Sequence, residues 1–210
     1  MYIVQRYLIN KTNIKYMDNL ENSFLPNGYE APKTEGGYFK FEKGQNKFLI
    51  LSSAITGWEY WNKDNKPVRV KTAPESIPLD IRLDKEGLPT KTKHFWAFAV
   101  WNFKTEKVEL LQITQSSIRS SIHSILENEE WGSPVLTYAL NVGRTGEGLD
   151  TEYTVTPSPK KVIDKEITDE WSRLQEAGFD LQELFAGGNP FSPNKIIDLE
   201  TKDPKTAYYD

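Results

Sequence analysis

The sequence contains no cysteine, and its 210 residues include only two histidines, His94 and His123. The absence of cysteine excludes disulfide bonds, thiolate metal ligands and catalysis by a thiol nucleophile. Two histidines cannot form a histidine-rich metal centre, and no serine, histidine and aspartate follow one another in the order of a known catalytic triad. We therefore expect a protein that is not an enzyme and that holds neither a metal ion nor another cofactor.

Long apolar runs are also missing. None approaches the roughly 20 residues that a membrane-spanning helix requires. The apolar start of the chain is interrupted by Gln5 and Arg6. The expectation is a cytoplasmic protein without membrane contact.

Charge is unevenly distributed along the chain. Residues 166–210 contain ten acids and four bases, a net charge of −6. Residues 1–165 contain twenty acids and twenty-two bases, a net charge of +2. A mildly basic body with an acidic tail can carry a local basic groove in spite of the total charge of −4.

Aromatic residues are abundant, at 12% of the chain with six tryptophans. Two β-rich runs, residues 94–103 and 108–113, are separated by a short polar break and predict a hairpin. Both faces of its first strand carry rings, because Trp96 has one parity and Trp101 the other. Either both faces are buried, or one of them is a platform for a flat ligand.

The remaining pattern predicts a mainly β fold. Before the hairpin come β-rich runs at residues 47–54 and 57–62, and after it come a helix at 115–129 and two more strands at 135–142 and 151–156. Strands with a single amphipathic helix suit a small, partly open barrel better than a doubly wound sheet. The longest irregular stretch, residues 63–93, holds eight bases, five acids and four prolines, and we interpret it as a mobile basic flap over a groove.

The chain divides into four predicted regions. An N-terminal extension covers residues 1–24, and the barrel covers 25–160. Apolar residues at helical spacing predict a short helical extension at 161–187. Residues 188–210 are predicted to be a flexible acidic tail that offers docking sites to partner proteins.

Five strings stand out within about residues 25–160: GWEYWN at 57–62, KHFWAFAVWNF at 93–103, LLQITQSSI at 110–118, EEWGSP at 129–134 and GEGLDTEYTVTPSP at 146–159. Together they resemble the phage-type single-stranded DNA-binding proteins that are built on an OB-fold barrel, including relatives carried in bacterial genomes. The resemblance implies an OB-fold core that coats single-stranded DNA during replication, recombination or repair, in a bacterial cell or a phage-infected host. Some phage helix-destabilising proteins carry a structural zinc, which this chain has no cysteine to hold.

A protein that binds single strands regardless of base sequence needs aromatic faces for the bases and cations for the phosphates. The predicted stacking residues are Trp58, Tyr60, Trp61, Trp96 and Trp101. The predicted phosphate contacts are Arg69, Lys71, Lys91, Lys93, His94 and Arg144. For each ring the alternative is a place in the core, and for each cation it is a solvated surface position.

Two other binding functions use the same residue types. An RNA-binding OB module also stacks bases and contacts phosphates. A carbohydrate-binding module stacks sugar rings on aromatic strand faces, but it has no use for a basic flap. The predicted partners of the leading hypothesis are single-stranded DNA and, through the acidic tail, replication or recombination proteins.

Overall fold

The computed structural model describes residues 37–192, which form a mainly β fold with two helices, as predicted. The predicted extension at 1–24 and the part of the tail beyond residue 192 lie outside the described residues. Neither of the two described helices has the length and apolar character needed to cross a membrane. The elements are β1 (Gly44–Ile50), β2 (Ile55–Trp61), β3 (Pro67–Val70), β4 (Lys93–Asn102), β5 (Lys107–Ile113), α1 (Ser116–Glu127), β6 (Ala139–Thr145), β7 (Glu152–Pro157) and α2 (Lys165–Glu176), with short 3₁₀ turns at Gly148–Asp150 and Leu181–Leu184.

All seven described strands belong to one antiparallel sheet, in the order β3-β2-β4-β1-β6-β7, with β5 paired to β4 outside this path. β4 is the central strand. Its first half pairs with β2 and its last residues with β1, while β5 runs along its other edge and confirms the predicted hairpin. Among the described strands β7 pairs only with β6 and β5 only with β4, so the sheet is not closed into a barrel.

The sheet is nevertheless strongly curled. In a flat sheet β3 and β5 would lie three strand spacings apart, about 14 Å. The side chains of Arg69 on β3 and Gln112 on β5 are instead hydrogen-bonded, with Arg69 Nε donating to Gln112 Oε1 at 2.9 Å. The two edges therefore approach each other through side chains, without backbone pairing.

Both faces of β4 are buried, which answers whether one of them is a platform for a flat ligand. On one face Phe95 and Trp101 pack in a cluster with Trp171 of α2. On the other face Phe98 packs in a second cluster with Ile118 of α1. The strand is therefore the middle layer between two helices, and it offers no open platform along most of its length.

The helical extension is part of this packed structure. α2 lies within the predicted helical extension at residues 161–187. The segment that follows it adds Leu184 and Phe191 to the cluster beneath α2. Phe191 falls within the predicted tail, but it is only 8% exposed. The folded part of the chain therefore extends past residue 188.

The predicted irregular flap contains more structure than its composition indicates. Within residues 63–93 the chain forms β3, which pairs with β2, and an isolated bridge joins Leu83 to Pro89. The strand is short and begins with a proline, so its alternation is too brief to be recognised in the sequence. Part of the flap is thus a short strand that is anchored to the sheet through β2.

Candidate nucleic-acid interface

The first half of β4 brings an aromatic pair to the surface. In the β2–β4 register Trp58 lies opposite His94. Their ring centroids are 5.2 Å apart, with the planes inclined at 68° in an edge-to-face contact. Both side chains are half-buried, so each ring keeps part of its surface exposed.

Helix α1 adds an arginine to this pair. Nη1 of Arg119 contacts Nδ1 of His94. A guanidinium has only donors, so Nδ1 accepts and the ring proton of His94 lies on Nε2. Arg119 is half-buried, its Nε has no hydrogen-bond partner, and it forms no ion pair with any carboxylate of the residues that the structure describes. We call Trp58, His94 and Arg119 the β4 cluster.

The charge of the β4 cluster resides on its arginine. Burial lowers the pKa of His94 below its ordinary value, and the positive charge of Arg119 lowers it further. At neutral pH the imidazole is therefore neutral and the guanidinium remains charged. A cation without a carboxylate partner, beside two partly exposed rings, attracts an anion that carries a flat group.

A second pair of arginine and tryptophan lies at the end of β2. Trp61, the last residue of the strand, is 40% exposed. The guanidinium carbon of Arg82 lies 5.5 Å from the centroid of the Trp61 ring. Arg82 Nη1 donates to Asn65 Oδ1 at 3.1 Å, and Arg82 forms no ion pair with a carboxylate in residues 37–192. Arg82 was not among the residues predicted to bind, although its place in the basic stretch 63–93 was a usable signal.

Arg69 occupies a different environment from the one predicted. Its Nε lies 3.0 Å from Glu59 Oε2 in an ion pair whose two side chains are 7% and 10% exposed. Gln112 joins both partners, because its Oε1 accepts from Arg69 and its Nε2 donates to Glu59 Oε2 at 2.9 Å. A buried charge requires such partners. In this structure Arg69 therefore links β2, β3 and β5 and is not available to a phosphate.

Three of the predicted stacking residues are wholly or partly core residues. Tyr60 is 8% exposed, and its hydroxyl donates to Asp80 Oδ1 at 3.1 Å. Burial raises the pKa of Tyr60, and Asp80 raises it further. Trp101 is 5% exposed beneath α2, and Trp96 is half-buried against the cluster beneath α1. The geometry gives Trp101 a packing role because α2 covers its face of β4, and it gives Tyr60 one because its ring is buried and its hydroxyl is bonded to Asp80.

The predicted lysines surround the start of β4. Lys91 and Lys93 are exposed, and Lys93 lies opposite Glu59 in the β2–β4 register. Lys71 follows β3 and places its Nζ 5.5 Å from the ring centroid of Phe185. None of the three forms an ion pair with a carboxylate in the described part of the chain. They supply positive charge near the two pairs of arginine and tryptophan.

Arg144 lies at the other end of the sheet. It sits opposite Gly44 at the start of β1, where its Nη1 donates to the carbonyl oxygen of Phe41 at 2.8 Å. The end of β4 nearest to it, Asn102, is eight residues from His94, which is about 27 Å along a strand. The structure thus separates Arg144 from the other predicted site residues.

The site is therefore a surface of partly exposed rings on a curled antiparallel sheet, with cations that have no carboxylate partner in the part of the chain that the structure describes. Comparisons of the chain with protein-family models, with curated proteins and with solved structures give no match. The resemblance to phage-type single-stranded DNA-binding proteins therefore stays a prediction. The proposed function depends on the rings and cations of this surface.

Proposed function

We propose that this protein binds single-stranded DNA, without catalysing a reaction, through the β2–β3 hairpin and the start of β4. The observation that carries the proposal is that Trp58 and Trp61 each lie close to an arginine that has no carboxylate partner within residues 37–192. Arg82 lies over Trp61, and Arg119 reaches Trp58 through His94. Rings that stack on bases and cations that contact phosphates are what single-strand binding requires.

The two rings would contact different nucleotides. Trp58 and Trp61 are three residues apart on β2, a distance of about 10 Å along the strand. They have opposite parity, so a DNA strand that contacts both passes over the end of the β2–β3 hairpin. Each stacked base contributes about 1–3 kcal/mol regardless of its identity, which suits binding that tolerates any sequence.

We also propose that the sheet is an OB-fold with an inserted hairpin. Without β2 and β3 the strands run in the order β5-β4-β1-β6-β7, with α1 between β5 and β6 in the sequence. This is the strand order of an OB-fold, whose first and last loops contact oligonucleotides. The inserted hairpin then occupies the first loop. The outer face of β4 and β5, which OB-folds also use, is covered by α2 here, so the hairpin becomes the principal contact.

One titration separates this function from its alternatives. Tryptophan fluorescence is followed while poly-dT, poly-U or a soluble β-glucan is added in 50 mM and 200 mM salt. Three or four phosphate contacts predict that affinity for poly-dT falls about 20- to 50-fold between these conditions. Equal binding of poly-U would support the RNA-binding module, and salt-independent binding of the glucan would support the carbohydrate-binding module. No quenching by poly-dT would remove the proposal.

We also propose a role for this protein in the cell. Service in replication, recombination or repair follows from coating single-stranded DNA. Docking of partner proteins through the acidic tail concerns residues that lie mostly outside the described range.

A further inference from the structure

A second polar cleft opens at the end of β4 that is far from the β4 cluster. It encloses about 480 Å³ between the segment that leads into β1 and the β4–β5 turn. We call it the Glu109 cleft. None of the residues predicted to bind DNA lines it. The lining residues that matter for its chemistry are Tyr38, Lys40, Asn46, Lys47, Asn102 and Glu109.

The floor of the Glu109 cleft is buried and polar. Asn46, Asn102 and Glu109 are only 8%, 9% and 9% exposed. Oε2 of Glu109 accepts a hydrogen bond from Asn102 Nδ2 at 2.9 Å. Its Oε1 accepts from Thr105 Oγ1 at 2.8 Å. These bonds fix the carboxylate in one orientation.

The Glu109 carboxylate has unused acceptor capacity. A carboxylate offers about four acceptor positions, and the described residues fill two of them. No lysine or arginine in residues 37–192 forms an ion pair with Glu109. A buried carboxylate is stabilised by further donors, so the cleft favours a ligand that brings N–H groups to its floor.

The rim of the cleft supplies a ring and cations. Tyr38 is 51% exposed, and the backbone of its neighbours Gly37 and Phe39 is hydrogen-bonded to Leu110 beside Glu109. Lys40 and Lys47 have no carboxylate partner among the described residues. The other two lysines of the rim form ion pairs, Lys43 with Glu147 and Lys104 with Glu42.

We propose that the Glu109 cleft binds one nucleotide and selects a base with N–H donors, guanine above all; this site is separate from the proposed single-strand contact and goes beyond it. Guanine presents N1–H and N2–H side by side, which matches the two oxygens of a carboxylate. Thymine has a single N–H between two carbonyl oxygens, and these would meet the lone pairs of Glu109. The phosphate would contact Lys40 or Lys47, and the Tyr38 ring would stack on the base.

The test uses the full chain and free nucleotides. Backbone amide signals are followed by NMR while 2′-deoxyguanosine 5′-monophosphate, 2′-deoxythymidine 5′-monophosphate or inorganic phosphate is added. The guanine nucleotide is expected to give saturable shifts at Asn46, Asn102 and Glu109, with an affinity at least tenfold higher than that of the thymine nucleotide. Phosphate alone should shift only the signals around Lys40 and Lys47.

Glu109→Gln is the decisive variant, because glutamine can keep both hydrogen bonds. Its Oε1 can accept from Asn102 while its Nε2 donates to Thr105 Oγ1. The fold is preserved, but a neutral amide replaces the carboxylate, so the preference for guanine should fall below threefold. Glu106→Gln is the control, because it makes the same change at an exposed carboxylate of the same turn that does not line the cleft; it should keep the preference.

Two results would overturn the proposal: no saturable shift at the cleft with the guanine nucleotide, or an unchanged preference in Glu109→Gln. Binding of poly-dT to the same samples separates this inference from the proposed function. Normal poly-dT binding with no response to the nucleotide rejects the inference alone. Nucleotide binding without poly-dT binding rejects single-strand coating and leaves a nucleotide site.

Discussion

Arg69 and Arg82 lie in the same basic stretch of the sequence, but the structure gives them opposite roles. Arg69 lies opposite Glu59 in the β2–β3 register and forms a buried ion pair with it. Arg82 follows the hairpin and lies over Trp61, where its Nη1 donates a hydrogen bond to the neutral amide of Asn65. Strand register therefore decides whether a cation is neutralised inside the fold or left for a ligand.

The comparison separates stability from binding. Loss of the closed site, Glu59–Arg69–Gln112, should affect folding. Loss of the open sites, Trp61–Arg82 and the β4 cluster, should affect affinity for single-stranded DNA. Variants at the two kinds of site should therefore differ in their stability, in their affinity for DNA or in the salt dependence of binding.

Arg69→Ala should have the largest effect. It leaves the Glu59 carboxylate buried without its cation, which costs about 3–5 kcal/mol in the free energy of unfolding. Urea denaturation measures this loss. Arg82→Ala is the matched control, since Arg82 is half-buried and forms no ion pair with a carboxylate in residues 37–192, so its loss should cost about 1 kcal/mol. Equal stability of the two variants would contradict the distinction between closed and open arginines.

Trp61→Ala should weaken binding without weakening the fold. Loss of one stacking ring costs about 1–3 kcal/mol, which corresponds to about a 5- to 150-fold lower affinity. Fluorescence anisotropy of a labelled oligo-dT measures the affinity, because it does not depend on the tryptophan signal. Leu79→Ala is the control. It removes an apolar side chain of the stretch 63–93 that is 96% exposed, and it should leave affinity unchanged. If both variants bind as the unaltered protein does, Trp61 does not stack on bases.

Arg119→Gln should change the salt dependence of binding. Glutamine can still donate a hydrogen bond to His94 Nδ1, but it carries no charge to release a counterion from a phosphate. The slope of log affinity against log salt concentration should therefore decrease in magnitude by about 0.7. Trp61→Ala provides the comparison, since removal of a neutral ring should lower affinity and keep the slope. An unchanged slope in Arg119→Gln would exclude a phosphate contact there.

The smallest effect concerns pH. The pKa of His94 is lowered in the folded protein from the ordinary value of 6.5, so the unfolded chain takes up this proton first as the pH falls. The free energy of unfolding should therefore decrease as the pH drops from about 7 toward the folded pKa of His94. His94→Gln should remove this part of the decrease, whereas substitution of the exposed His123 should not. Identical pH profiles for the two variants would show that His94 is not held neutral by its surroundings.

Elements with a long and regular pattern were predicted correctly. The β4–β5 hairpin, helix α1 and the helical extension each repeat their apolar residues over several turns or along a whole strand. β3 was missed because four residues carry too little alternation. The closed or open state of the sheet depends on strand pairing at its edges, which no local pattern encodes.

The candidate site was only partly predictable. Trp58, Trp61 and His94 were identified, and the structure leaves each of them at least partly accessible. Parity could not reveal that α2 covers Trp101, because the covering residues lie about 70 positions later in the sequence. Arg119 was missed for a similar reason: on an amphipathic helix it resembles any solvated charge until α1 packs against the sheet.

We propose that Arg82 and Arg119 lack a carboxylate partner within residues 37–192 because they contact phosphates. The most direct measurement is the affinity for oligo-dT across a range of salt concentrations, compared between the unaltered protein and the double variant Arg82→Gln/Arg119→Gln. We predict that the slope of log affinity against log salt concentration decreases in magnitude by about 1.4 in the double variant, with no loss of stability. Equal slopes for the two proteins, or binding that does not respond to salt in either, would contradict the account.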